Sequence, residues 1–72
     1  MTLIELLDEL DRRRVAYQLG RHRDALMVTV DVPGERWEIE FMDEGGIEIE
    51  RFRSDGEIHD EAALADLWPM TE

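Results

Sequence analysis

The chain has 72 residues, 43% hydrophobic and 38% charged, with 19 acids against 8 bases for a net charge of -11. That charge repels nucleic acid and anionic membrane surfaces, and it favours a basic protein surface or cations. Cysteine is absent, which excludes disulfides, thiolate zinc sites and thiol nucleophiles.

The length suits one α+β domain over residues 1–72, near the lower size at which a chain folds alone. A chain this small buries only about 60% of its unfolded surface, so its stability margin is narrow. All 8 bases are arginine, a bias that a GC-rich genome explains and that also fits a salt-adapted cytoplasm. No apolar run approaches the roughly 20 residues of a membrane span. Glu5 and Asp8 stand where an export signal would be basic and then apolar. A cytoplasmic location with no membrane partner is the expectation.

Thr2-Leu3-Ile4-Glu5 reads as a capping box, in which the Thr2 hydroxyl and Glu5 carboxylate each satisfy the other's backbone N–H. Leu3, Leu6, Leu7 and Leu10 recur at helical spacing, with Glu5, Asp8, Glu9 and Asp11 between them. Arg12-Arg13-Arg14 follows as a positive clamp for the helix C-terminus. A helix from residue 2 or 3 to 13 is expected.

Val15-Ala16-Tyr17-Gln18-Leu19 alternates as a first strand, and Arg21-His22-Arg23-Asp24 breaks it. Leu26, Val28, Val30 and Val32 alternate with Met27, Thr29 and Asp31 in a second strand. Pro33-Gly34 is a turn signal. A third strand spans residues 35–42, and Asp43-Glu44-Gly45-Gly46 turns into a fourth that ends near Arg53. Ser54-Asp55-Gly56 closes it. Asp60 caps a short helix holding Ala63, Leu64, Leu67 and Trp68, which Pro69 stops.

These strands agree on one register. A two-residue Pro33-Gly34 loop pairs Val30 with Trp37, Val28 with Ile39 and Leu26 with Phe41. A three-residue Asp43-Glu44-Gly45 loop pairs Phe41 with Ile47 and Ile39 with Ile49. Trp37 then meets Arg51, within reach of a cation–π contact. For strands one and two, Leu19 is set against Leu26 and Tyr17 against Val28. A one-residue slip in any hairpin would turn apolar side chains outward. The expected architecture is a two-layer α/β sandwich of order α-β-β-β-β-α. Its four-stranded antiparallel meander is covered on one face by the N-terminal helix, and the second helix, with Trp68, adds cover at the edge.

The same alternation gathers Glu38, Glu40, Glu48 and Glu50 on the opposite face, Glu40 across from Glu48 and Glu38 from Glu50. Like charges directly across a sheet destabilise by up to about 1 kcal/mol per pair. A solvated face kept for solubility is one explanation, and a docking face for a basic protein is the other. Met27, Thr29 and Phe52 share this face, and apolar groups beside charge resemble an interface centre with a polar rim. A bulge at Arg51 would instead turn Phe52 inward, and both orientations stand open at this point.

Nothing in the spacing announces catalysis. Paired carboxylates work as acid and base when their surroundings separate their pKa values, and open alternation does not do this. His22 and His59 lack spaced ligand partners, although Asp55, His59 and Asp60 form a weak divalent-cation candidate. No metal or other cofactor is expected. Ser54 is the single serine and lies in no nucleophile elbow. The composition is of a type common among short acidic bacterial proteins, and no motif ties the chain to a named family. The expectation is a non-enzymatic, inhibitor- or immunity-like module that docks a basic partner through Glu38, Glu40, Glu48, Glu50, Met27 and Phe52. The alternative is a structural homodimer, paired through the unprotected first strand or the outer face, with an acidic face that is merely solvated.

Overall fold

A computed structural model describes residues 1–71. It has a helix α1 (Leu3–Arg12), strands β1 (Tyr17–His22), β2 (Ala25–Val32), β3 (Glu35–Phe41) and β4 (Ile47–Arg53), and a C-terminal helical segment. In that segment a 3₁₀ turn (Glu61–Ala63) leads into helix α2 (Leu64–Leu67) and a second 3₁₀ turn (Trp68–Thr71). The strands form one open antiparallel sheet in the order β1-β2-β3-β4.

The N-terminal capping box is formed as read. The Glu5 N–H donates to Thr2 Oγ1 at 3.1 Å, and the Thr2 N–H donates to Glu5 Oε1 at 2.8 Å. Helical geometry ends at Arg12, one residue short of the expected limit, and Arg13 is the C-cap. The cause is a left-handed Arg14, at φ 58°. The Val15 N–H reaches back to the Leu10 carbonyl at 2.9 Å and the Arg14 N–H to Asp11 at 3.1 Å. This is the paired arrangement that closes helices, with arginine where glycine is usual. Arg12 and Arg13 both pair with Glu9 instead of standing free at the helix end.

Two hairpins have the expected register: Val30 faces Trp37, Val28 faces Ile39, Phe41 faces Ile47 and Ile39 faces Ile49. Gly34 (φ 78°) and Gly45 (φ 98°) supply the left-handed turn positions, where a side chain would be strained. The first hairpin departs from expectation by two residues. Leu19 pairs with Val28 rather than Leu26, and Tyr17 with Val30 rather than Val28. Arg21 and His22 continue β1, so the break contracts to the two-residue turn Arg23-Asp24, with Arg23 at φ 58°. A slip of two leaves every side chain on its intended face, so the hydrophobic pattern could not reveal it.

The inner face carries Tyr17, Leu19, Val28, Val30, Trp37, Ile39 and Ile49, and Val28 is fully buried. Leu3, Leu6, Leu7 and Leu10 of α1 are half-buried. Leu10 lines an apolar cavity of about 240 Å³ with Val30, Val32, Trp37 and Ile39, which places the end of α1 over this half of the sheet. The expected cover from the second helix is missing: Leu64 and Leu67 are exposed, and Trp68 is 55% exposed. A four-residue α2 offers too short an apolar stripe to hold itself on a sheet. Pro69 ends the α-helix but not the helical winding, since it lies within the following 3₁₀ turn.

Candidate functional site: the outer sheet face

Successive rungs of the sheet build the outer face. One rung aligns Met27, Glu40 and Glu48, the next Thr29, Glu38 and Glu50, and the third Asp31, Arg36 and Phe52. Pairing runs unbroken from Trp37–Arg51 to Arg36–Phe52, so no bulge intervenes and Phe52 points outward. The Arg36 guanidinium carbon lies 5.1 Å from the Phe52 ring centroid, which gives the exposed ring a cationic cover.

The four glutamates are not equivalent. Glu40 is the most sheltered, with a side chain 17% exposed and a 2.9 Å hydrogen bond to His22 Nδ1. That contact is an ion pair only when the imidazole is protonated. Glu38 lies 3.4 Å from Arg36. Arg36 thus compensates Glu38 within β3, while Glu48 and Glu50, exposed along edge strand β4, enter no ion pair among the described residues.

The face also has a concavity that alternation alone did not imply. A recess of about 410 Å³ lies where the β1–β2 and β3–β4 turns meet, and Glu40, Glu48, Asp24, Asp43, Glu44 and His22 wall it. Arg23 lines it too, a basic group among the acids. The signal was present in the chain: both turns close at the same end of a meander, so Asp24 and the Asp43-Glu44 pair must come together. Glu40 and Glu48 belong to this recess, Glu38 and Glu50 lie one rung away, and Phe52 sits two rungs away at the opposite end. Met27 is half-buried beside Glu40. The six residues expected to act together thus share a face but form no single pocket.

In the loop after β4, Asp55, Glu57 and His59 bring one ligand atom each within 4.8 Å of one another. Asp60, the expected third member, instead accepts the Ala62 N–H at 3.0 Å as a helix cap. Asp55 accepts the Glu57 N–H at 2.8 Å, which with the nearby His59 holds its carboxyl below the usual range. All three groups are exposed, and Asp55 is already engaged by the Glu57 N–H and by His59 at 3.4 Å.

No helix among the described residues is long and apolar enough to cross a membrane. Comparison with protein-family models, curated proteins and solved structures finds no match to this chain.

Proposed function

We propose that the protein is a non-enzymatic, protein-binding module of inhibitor or immunity type, which docks a basic protein through the outer face of its sheet. The observation that carries this reading is the recess in which five acids, Glu40, Glu48, Asp24, Asp43 and Glu44, outnumber the one arginine, Arg23, with His22 beside them. A concave carboxylate surface can take the place of phosphates in a basic cleft, or receive a single protruding arginine or lysine. Glu48 and Glu50, free of intramolecular ion pairs among the described residues, supply the long-range attraction that speeds encounter. Phe52, under Arg36, offers an apolar contact at the far end of the same face. A cytoplasmic location belongs to the same proposal and rests on the cysteine-free, acidic composition.

The test replaces Glu40 and Glu48 with glutamine and measures capture of a specific basic protein from lysate at low and at physiological salt. The expected result is slower association and lost capture, most pronounced at low salt, with the mass of the free protein unchanged. Undiminished capture by the double variant would overturn the docking reading and leave a face that serves solubility alone.

A further inference from the structure

We infer that the part of the inner sheet face that α1 leaves open is the seat of a second copy of this chain, whose C-terminal segment (residues 55–71) lies against it. The inference does not depend on the outer face.

Area is the first argument. The chain exposes 6252 Å², whereas a folded 8.5 kDa chain ordinarily exposes about 4,700 Å². The excess, roughly 1,500 Å² per chain, falls in the range that obligate homodimers bury, about 1,000–2,500 Å² per partner. The Cα radius of gyration is 15.2 Å, against about 11 Å for a compact chain of this length.

The exposed apolar residues fall into two sets that fit each other. On the inner face of the sheet, Ile47 and Ile49 of edge strand β4 are exposed, Ile49 at 57%, as are Leu26 near the start of β2 and Leu19 on the opposite edge, with Val28 buried between them. On the C-terminal segment, Ile58 (99%), Leu64, Leu67, Trp68 and Met70 (81%) are all exposed. Both surfaces belong in an interior, and one can cover the other.

Charge gives the pairing its sense. The inward strand positions hold Arg21, Arg51 and Arg53 with one acid, Glu35, which pairs with Arg51 and Arg53 and leaves these positions net positive. The C-terminal segment carries Asp55, Glu57, Asp60, Glu61 and Asp66 and no arginine or lysine. Two molecules with a net charge of -11 each would repel at most faces, yet this pair of surfaces brings acid to base.

Within its own chain the segment is tied to the sheet at its start and lies off the inner face. The Ser54 N–H binds the Gly34 carbonyl at 2.9 Å, the Gly56 N–H binds Ser54 Oγ at 3.0 Å, and Asp55 and Asp60 accept from Glu57 and Ala62. The first of these bonds fixes how the segment leaves β4 and the others shape it locally, and its apolar side chains stand exposed. A reciprocal exchange about a two-fold axis satisfies both copies at once.

Cysteine crosslinking tests this directly, since the chain has no cysteine of its own. Ile49→Cys and Trp68→Cys are prepared separately, mixed and oxidised, and the double variant is oxidised alone. Sedimentation of the wild-type chain should give twice 8.5 kDa at micromolar concentration. The mixture should give a covalent heterodimer, and the double variant a covalent dimer. Leu67→Asp should weaken self-association at least tenfold while the strand signal in circular dichroism persists. Should that variant unfold, Ile58→Ser at a fully exposed position provides the same measurement. A wild-type monomer at all concentrations, a double variant closed within one chain, or a dimer that crosslinks only Ile49→Cys to itself would each overturn the inference.

Discussion

Arg51 lies over Trp37, its guanidinium carbon 4.5 Å from the indole centroid. The same guanidinium donates to both oxygens of Glu35, at 2.8 and 3.1 Å from one nitrogen, and Trp37 Nε1 donates to Glu35 at 3.1 Å. One carboxylate thus binds the cation and the ring that the cation covers, and all three groups lie on the inner face, across β3 and β4. The Arg51 hydrogen bonds hold the Glu35 carboxyl below the usual glutamate range, with Arg53 and Trp37 adding to the effect.

That lowering has a definite consequence for acid stability. A carboxyl with a lower pKa folded than unfolded contributes stability above its unfolded value, about 4.3, and loses it as pH falls through the folded value. Denaturation midpoints of the wild type should fall more steeply below that pH than those of Glu35→Gln, whose curve lacks this component. Parallel curves would show that Glu35 gains nothing from Arg51 and Trp37.

The two tryptophans should differ in cost. Trp37→Ala removes an inward ring opposite Val30 and should destabilise by about 3 kcal/mol, the low end for aromatic truncation because the ring is half-buried. Val28→Ala, at a fully buried side chain, should cost about 2 kcal/mol. Measured in the Leu67→Asp background, which weakens self-association, Trp68→Ala should shift the urea midpoint little. An equal shift for both tryptophans would contradict the exposure of the C-terminal segment.

Arg14 occupies a left-handed position that closes α1. Arg14→Gly should raise stability by about 1 kcal/mol, because glycine carries no Cβ penalty there. Thermal denaturation of the single variant decides it, and a lowered Tm would mean that the Arg14 side chain contributes more than its backbone costs.

The outer rungs set Glu40 against Glu48 and Glu38 against Glu50. Glu50→Gln should therefore stabilise modestly, by less than about 1 kcal/mol, and the gain should shrink as salt screens the repulsion. Glu40→Gln should gain less, since it also weakens the 2.9 Å bond to His22. Chemical denaturation at two ionic strengths separates the two variants.

Local chemistry and period were enough to read most of the architecture from the chain. The Thr2–Glu5 box, the glycines at 34 and 45, and strict alternation through Trp37–Phe41 and Ile47–Ile49 each act within a few residues, and together they set the element order and two of three registers. The gathering of Glu38, Glu40, Glu48 and Glu50 on one face follows from the same two-residue period. Tertiary structure decided what that period leaves degenerate. The first hairpin could slip by two without exposing an apolar residue, and only the turn at Arg23-Asp24 chose between the registers. Phe52 faced outward because pairing continued past Arg51, a matter of long-range backbone hydrogen bonds. The recess beside Glu40 arose from two turns distant in sequence meeting at one end of the sheet. How far α1 and the C-terminal segment cover the inner face also lay beyond pattern, because periodicity marks which side of an element is apolar but not what comes to rest against it.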